Sequence, residues 1–144
     1  MNIFTIGFTK KNLRTFIERL NTAGAKKVID IRLHNTSHLA GYAKKDNLEY
    51  VLSLVGIGYE HHPELAPTEV MLTDYTKGTL SWQDYEKKFK DVLAQRNLIQ
   101  NMSFMGEGGP VCLLCAEDKP HQCHRRLVAE YYASNTEGVQ IRHL

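Results

Sequence analysis

Short apolar runs alternate with stretches of helical period, turn residues separate many of them, and one almost purely apolar run lies near the end. Together these predict an α/β fold, a three-layer Rossmann-like single domain with a mainly parallel sheet. The first run, Asn2 to Ile6, ends at Gly7 and reads as a strand closing in a turn. Leu13, Phe16, Ile17 and Leu20 then recur at helical spacing, with Gly24 as the stop. Val28 to Leu33, rich in β-branched residues, reads as the second strand. Leu48, Val51, Leu52 and Val55 mark one face of a second helix, Gly56 follows it, and Ile57 to His61 supplies a short third strand. Ser81 with Asp84 resembles a shortened capping box, opening a helix that carries Trp82, Tyr85, Phe89, Val92 and Leu93 on one side. Gly106, Gly108, Gly109 and Pro110 precede Val111 to Cys115, a run suited to a strand buried on both faces. After the polar loop Ala116 to Gln122, a last helix with Leu127, Val128 and Tyr131 leads to a terminal strand over Val139 to Leu144.

The 144 residues match the length of one domain, so a single unit over 1–144 is expected. A domain of this size buries about 68–70% of the surface of its unfolded chain, so a metal would serve function rather than hold the fold. With 42% apolar and 24% charged residues, disordered and collagen-like chains are excluded. No run approaches the ~20 apolar residues that cross a bilayer, and the start lacks the pattern of a secretory leader. Three cysteines, an odd number, suit thiols in a reducing compartment, and the expected location is the cytoplasm, away from membranes. The net charge of +2 and pI near 8.4 are too mild to mark a nucleic-acid binder by charge alone. A basic excess around the first helix (Lys10, Lys11, Arg14, Arg19, Lys26 and Lys27 against Glu18) reads as a solvated helix face, or as a salt-sensitive docking surface.

In parallel sheets ligands bind outside the carboxyl ends of the strands, which here release Thr5 to Phe8, Asp30 to His34 and Cys115 to Glu117. Asp30 and Arg32 share a strand face, either as a mutual ion pair or with Arg32 free to hold an anion in its planar fork. Gly7 suits a tight turn or a close backbone approach to a ligand. Cys112 and Cys115 are separated by an odd number of residues, so they face opposite sides of the sheet, with Cys112 a small core hydrophobe. Cys115 ends its strand before a helix bearing His124, Arg125 and Arg126, an environment that lowers a thiol pKa and favours a nucleophilic thiolate; a buried inert thiol is the other reading. Glu64 and Glu117 are candidate acids or bases, or merely loop carboxylates or helix caps. A metal or redox site competes for Cys115, His121, Cys123 and His124, although the spacing matches no familiar zinc arrangement and adjacent Cys123 and His124 diverge if both are helical. An arginine at the start of the last helix adds bidentate contacts to an anion at free amides; phosphate, nucleotide and nucleic-acid backbone all satisfy that pattern.

Thr5-Ile6-Gly7, Asp30-Ile31-Arg32, Pro63-Glu64-Leu65, Leu114-Cys115-Ala116-Glu117 and Cys123-His124-Arg125 occur in that order. This order resembles the bacterial and archaeal family catalogued as domain of unknown function 488, from residue 3 nearly to the end. The resemblance implies an α/β domain and a shared site built from these segments. It departs at Phe8-Thr9, where the family commonly has His-Ser, at Leu65-Ala66-Pro67 in place of Leu-Gly-Gly, and at His34 to Ser37, which lacks the usual proline. These departures resemble a variant subgroup. A fainter similarity links the Asp-x-Arg strand and the strand-ending cysteine to rhodanese-like domains. Against a sulfurtransferase, Cys115 here precedes a longer loop whose Glu117 and Asp118 disfavour a thiolate by repulsion.

The expected site therefore draws chemistry from Cys115, Glu117 and Asp30, and ligand contacts from Thr5, Gly7, Arg32, Glu64, His124 and Arg125. Its expected ligand is a small phosphate-bearing anion, a nucleotide or nucleic acid, open to hydrolytic or nucleophilic chemistry. The sequence assigns no metal, and no motif specifies a cofactor. The alternatives are a non-catalytic metal or redox sensor and a rhodanese-like cysteine enzyme.

Overall fold

Asn2–Gly7 (β1), Lys27–Asp30 (β2), Gly58–His61 (β3), Val111–Cys115 (β4) and Gln140–His143 (β5) pair into a single sheet. Its order is β3-β2-β4-β1-β5, and every pairing is parallel. The computed structural model describes residues 1–36 and 41–144, so Ser37 of the loop after β2 lies outside the described residues. Apolar β4 is buried along its whole length near the middle of the sheet, while β3 and β5 form the more exposed edges. Strands with helices on both faces read as continuous apolar runs, which is how Val111 to Cys115 stands in the sequence.

The helices are Leu13–Ala23 (α1), Lys45–Leu54 (α2), Glu69–Lys77 (α3), Trp82–Gln95 (α4) and His124–Ser134 (α5). Alternation along the strands divides the interior into two cores, giving the predicted three layers. On one face Phe4, Ile6, Val28, Cys112 and Leu114 pack with Phe16 and Leu20 of α1 and Leu48 and Leu52 of α2. On the other, Ile3, Ile29, Val111 and Leu113 pack with Phe89 and Leu93 of α4 and Leu127 and Val128 of α5. Among the described residues no helix is long and apolar enough to cross a membrane.

Local signals account for the helix ends. Asn12 caps α1, its side chain accepting from Thr15 N at 2.8 Å, and Gly24 ends it at φ 76°, a conformation costly for other residues. Ser81 accepts from Asp84 N at 3.2 Å, as the capping pattern predicted. The expected strands run longer than the observed ones at β2 and β5. The β2 ladder stops at Asp30, although Ile31 N still reaches Leu114 O at 3.1 Å, and Arg32 is beyond the pleat rather than on its face. Helix α3 has no counterpart in the sequence reading; Thr68 caps it by accepting from Met71 N at 3.2 Å. Lys11 departs from the solvated face expected for it, because it precedes α1 and pairs with Asp118 at 2.6 Å, its side chain 2% exposed.

The chain leaves β2 toward α2 on one face and leaves β4 toward α5 on the other. Neighbouring parallel strands with exits to opposite faces open a crevice at their carboxyl ends. Gly7, paired in register with Cys115, closes the back of that region. A Cβ at Gly7 would collide with the carbonyl of Glu117 and crowd Arg125 Nη1 at 2.6 Å. The close approach expected at Gly7 is therefore made by the chain's own Glu117. Gly7→Ala is expected to cost on the order of 3 kcal/mol by overpacking, measured as a lower urea midpoint at unchanged slope.

Candidate functional site

A cavity of about 380 Å³ occupies the crevice between the ends of β2 and β4. Arg32 enters it from β2, Cys115 and Glu117 from β4, and Cys123 and His124 from the start of α5. Tyr75 of α3 and Tyr85 of α4 add an aromatic wall.

Asp30 and Arg32 form a two-pronged pair: Arg32 Nε donates to Oδ1 and Nη2 to Oδ2, each at 2.8 Å. The carboxylate also accepts from Arg32 N at 3.2 Å, Asn35 Nδ2 at 3.3 Å and the Tyr59 hydroxyl at 2.6 Å. Burial pushes the Asp30 carboxyl up, but the Arg32 hydrogen bonds and charge, with Tyr59, outweigh it and hold the group below 3.8. Burial, and the negative Asp30 beside it, push the Tyr59 hydroxyl up, so it stays a neutral donor. The carbonyl of Arg32 accepts from His61 Nε2 at 2.7 Å, fixing its backbone as well. Arg32 is 4% exposed, and its Nη1 is buried without an acceptor among the described residues.

Arg125 is fully buried and committed to the scaffold. Its Nε donates to Thr5 Oγ1 at 3.2 Å, its Nη1 to the Glu117 carbonyl and to Cys115 Sγ, and its Nη2 to the Asp118 carbonyl at 3.1 Å. Thr5 lies beneath it, its hydroxyl 2.6 Å from His143 Nδ1.

The structure joins Cys115 and Cys123 through their sulfurs, where three thiols were expected. Cys112 alone stays free among the described residues, in the core on the opposite face, as the odd spacing required. Burial pushes its thiol up, so it remains protonated and inert. His124 stands beside the sulfur pair, with Nε2 2.7 Å from the Ile31 carbonyl. Burial lowers it to about 4, with the Ile31 carbonyl opposing and Arg125 reinforcing the shift.

Of the expected residues, the structure brings Arg32, Cys115, Glu117 and His124 to one cavity. Asp30, Thr5 and Arg125 stand behind its wall as supports. Glu64 is exposed in the short 3₁₀ turn Pro63–Leu65 and pairs with His62 Nδ1 at 2.6 Å, away from the cavity-lining residues. His121 is exposed and lines a different depression, with Lys10 and Asp118. Sequence reasoning missed Tyr59, Asn35, Tyr75 and Lys11. Tyr59, Tyr75 and Lys11 act through partners 29 to 107 positions away, which no local pattern announces, and Asn35 reaches Asp30 from five positions on only through the path of the loop.

Two outcomes follow from this geometry. Asp30, held below its ordinary value, contributes stability above pH 3.8, and that contribution is lost as pH falls through the lower folded value. Asp30→Asn leaves the Arg32 charge uncompensated and is expected to cost ~3–5 kcal/mol at neutral pH, with a shallower acid slope in urea unfolding than the parent. In native, reduced protein a limiting alkylator is expected to spare Cys112, and mapped peptides should show it modified only after denaturation.

The family described as Domain of unknown function DUF488 matches residues 12–132, from the cap of α1 into α5. The match begins after β1, so Thr5-Ile6-Gly7 lies ahead of it. Comparison with curated proteins and with solved structures gave no match. Because the match takes in four of the five motif segments and most of the fold, the chain belongs to the family described as Domain of unknown function DUF488.

Proposed function

We propose that this protein binds a small phosphate-bearing anion in the cavity between β2 and β4, with Arg32 as the contact. The supporting observation is Arg32 Nη1, a buried charged donor with no acceptor among the described residues, on a residue that lines the cavity. Leaving a buried donor unpaired costs about 1–3 kcal/mol, more when it is charged, and a ligand oxygen removes that cost. The Asp30 clamp holds the guanidinium rigid, so little conformational freedom is lost on binding.

Arg125, expected to share the anion, has its three nitrogens engaged by chain atoms and acts as a support. Asp30 has the same standing toward Arg32, leaving Cys115, once reduced, and Glu117 as the cavity's nucleophile and acid or base. About 380 Å³ falls at the small end of ligand sites. With Tyr75 and Tyr85 on its wall, it suits a mononucleotide-sized phosphate ester better than a nucleic-acid strand.

Isothermal titration with inorganic phosphate and with a nucleoside monophosphate tests this. Saturable binding is expected, weakened about tenfold or more in Arg32→Lys, which keeps a cation against Asp30 but removes the planar fork. Glu64→Gln, away from the cavity, should bind as the parent does. Absence of saturable binding to either probe, or equal affinity in a folded Arg32→Lys variant, would refute the assignment.

A further inference from the structure

We infer that Cys115, Cys123 and His124 form a binding site for a soft divalent transition metal, Zn²⁺ by ligand type, with a fourth position open to the cavity. The potential ligand atoms of the three residues all lie within 4.8 Å of one another. Two thiolates and an imidazole are a donor set zinc accepts, and three protein ligands leave room for water or substrate.

The orientation of His124 is a separate observation. Its Nε2 is 2.7 Å from the Ile31 carbonyl oxygen, which only accepts, so Nε2 carries the hydrogen and Nδ1 keeps its lone pair. A backbone carbonyl on the far nitrogen is the usual way a metal-ligating histidine is aimed. The backbone agrees: the Cα atoms of Cys115 and Cys123 are 7.7 Å apart, wider than the ~4.4–6.8 Å of most disulfides. Two sulfurs on one tetrahedral ion, each about 2.3 Å from it, sit roughly 3.8 Å apart, a span better matched to that separation. Arg125 Nη1, 3.5 Å from Cys115 Sγ, offsets thiolate charge.

Adjacent Cys123 and His124 would diverge if both were helical. Cys123 is instead the cap residue, extended at φ −139° and ψ 139°, and His124 is the first residue of α5. Two adjacent side chains in different backbone states can converge where two helical ones cannot. His121 is not part of the cluster, so the site has three protein ligands rather than the four first considered. A dithiol reductant supplies two electrons and two protons to open the sulfur pair; metal binding then releases the thiol protons. The inference stands independently of anion binding.

Co²⁺ titrated anaerobically into the full chain, reduced with a dithiol that is then removed, reads the site directly. A thiolate-to-cobalt charge-transfer band and the visible bands of a tetrahedral centre are expected, saturating at one equivalent and displaced by Zn²⁺. Cys115→Ser, Cys123→Ser and His124→Gln should each weaken Co²⁺ by more than the roughly 10–100-fold typical of losing a supporting partner. Cys112→Ala, which alters no ligand, should match the parent in band and affinity. The inference is overturned if reduced, folded parent protein develops no thiolate–cobalt band. It is equally overturned if the band survives in a Cys115→Ser/Cys123→Ser double variant, or if His124→Gln leaves spectrum and affinity unchanged.

Discussion

Arg125 is a guanidinium with no exposed surface, and the carboxyl end of the sheet is organised around it. A buried cation is tolerable only if its donors are satisfied, and here the acceptors come from β1 and from the exit of β4. Pulling the carbonyls of Glu117 and Asp118 onto the fork draws the loop over the end of β1, which is why residue 7 has no space for a side chain. Lys11 fastens the same loop from outside through Asp118. The path of the loop, in turn, places Cys115 and Glu117 on the wall of the cavity.

The two arginines of this region do different work because their surroundings differ. Arg125 meets two carbonyls, the Thr5 hydroxyl and the Cys115 sulfur in several directions and becomes a tie. Arg32 meets one carboxylate, which takes two of its nitrogens, and the ring of Phe8, whose centroid is 5.1 Å from its guanidinium carbon, and its third nitrogen is buried without an acceptor among the described residues. Tyr59 and Asn35 saturate the remaining capacity of Asp30, so the carboxylate stays charged and fixed. The unmatched nitrogen therefore belongs to a rigid group, which is what recognition of an anion requires.

On the opposite wall, the end of β4 and the start of α5 bring two sulfurs and one imidazole together. The proposed anion contact, Arg32, and the proposed metal ligands, Cys115, Cys123 and His124, are different residues lining one cavity.

Much of the architecture was legible in the sequence, because periodicity and breaks are local. The apolar run Val111 to Cys115, the helix stripe from Tyr85 to Leu93, and the caps at Ser81 and Gly24 each follow from spacing within a few residues. The opposite faces of Cys112 and Cys115 follow from the two-residue period of a strand. The same logic overran at Arg32, because pattern does not say where a ladder ends, and it passed over α3, whose apolar stripe is short. Which charges became supports and which faced the cavity was decided only by tertiary structure. Arg125 and Arg32, Glu117 and Glu64, His124 and His121 are alike as residue types. Only the folded chain brings Thr5 and the Glu117 carbonyl to one arginine, and sets Tyr59 against the aspartate that clamps the other. Those contacts span up to 120 positions in sequence, a distance over which spacing rules carry no information.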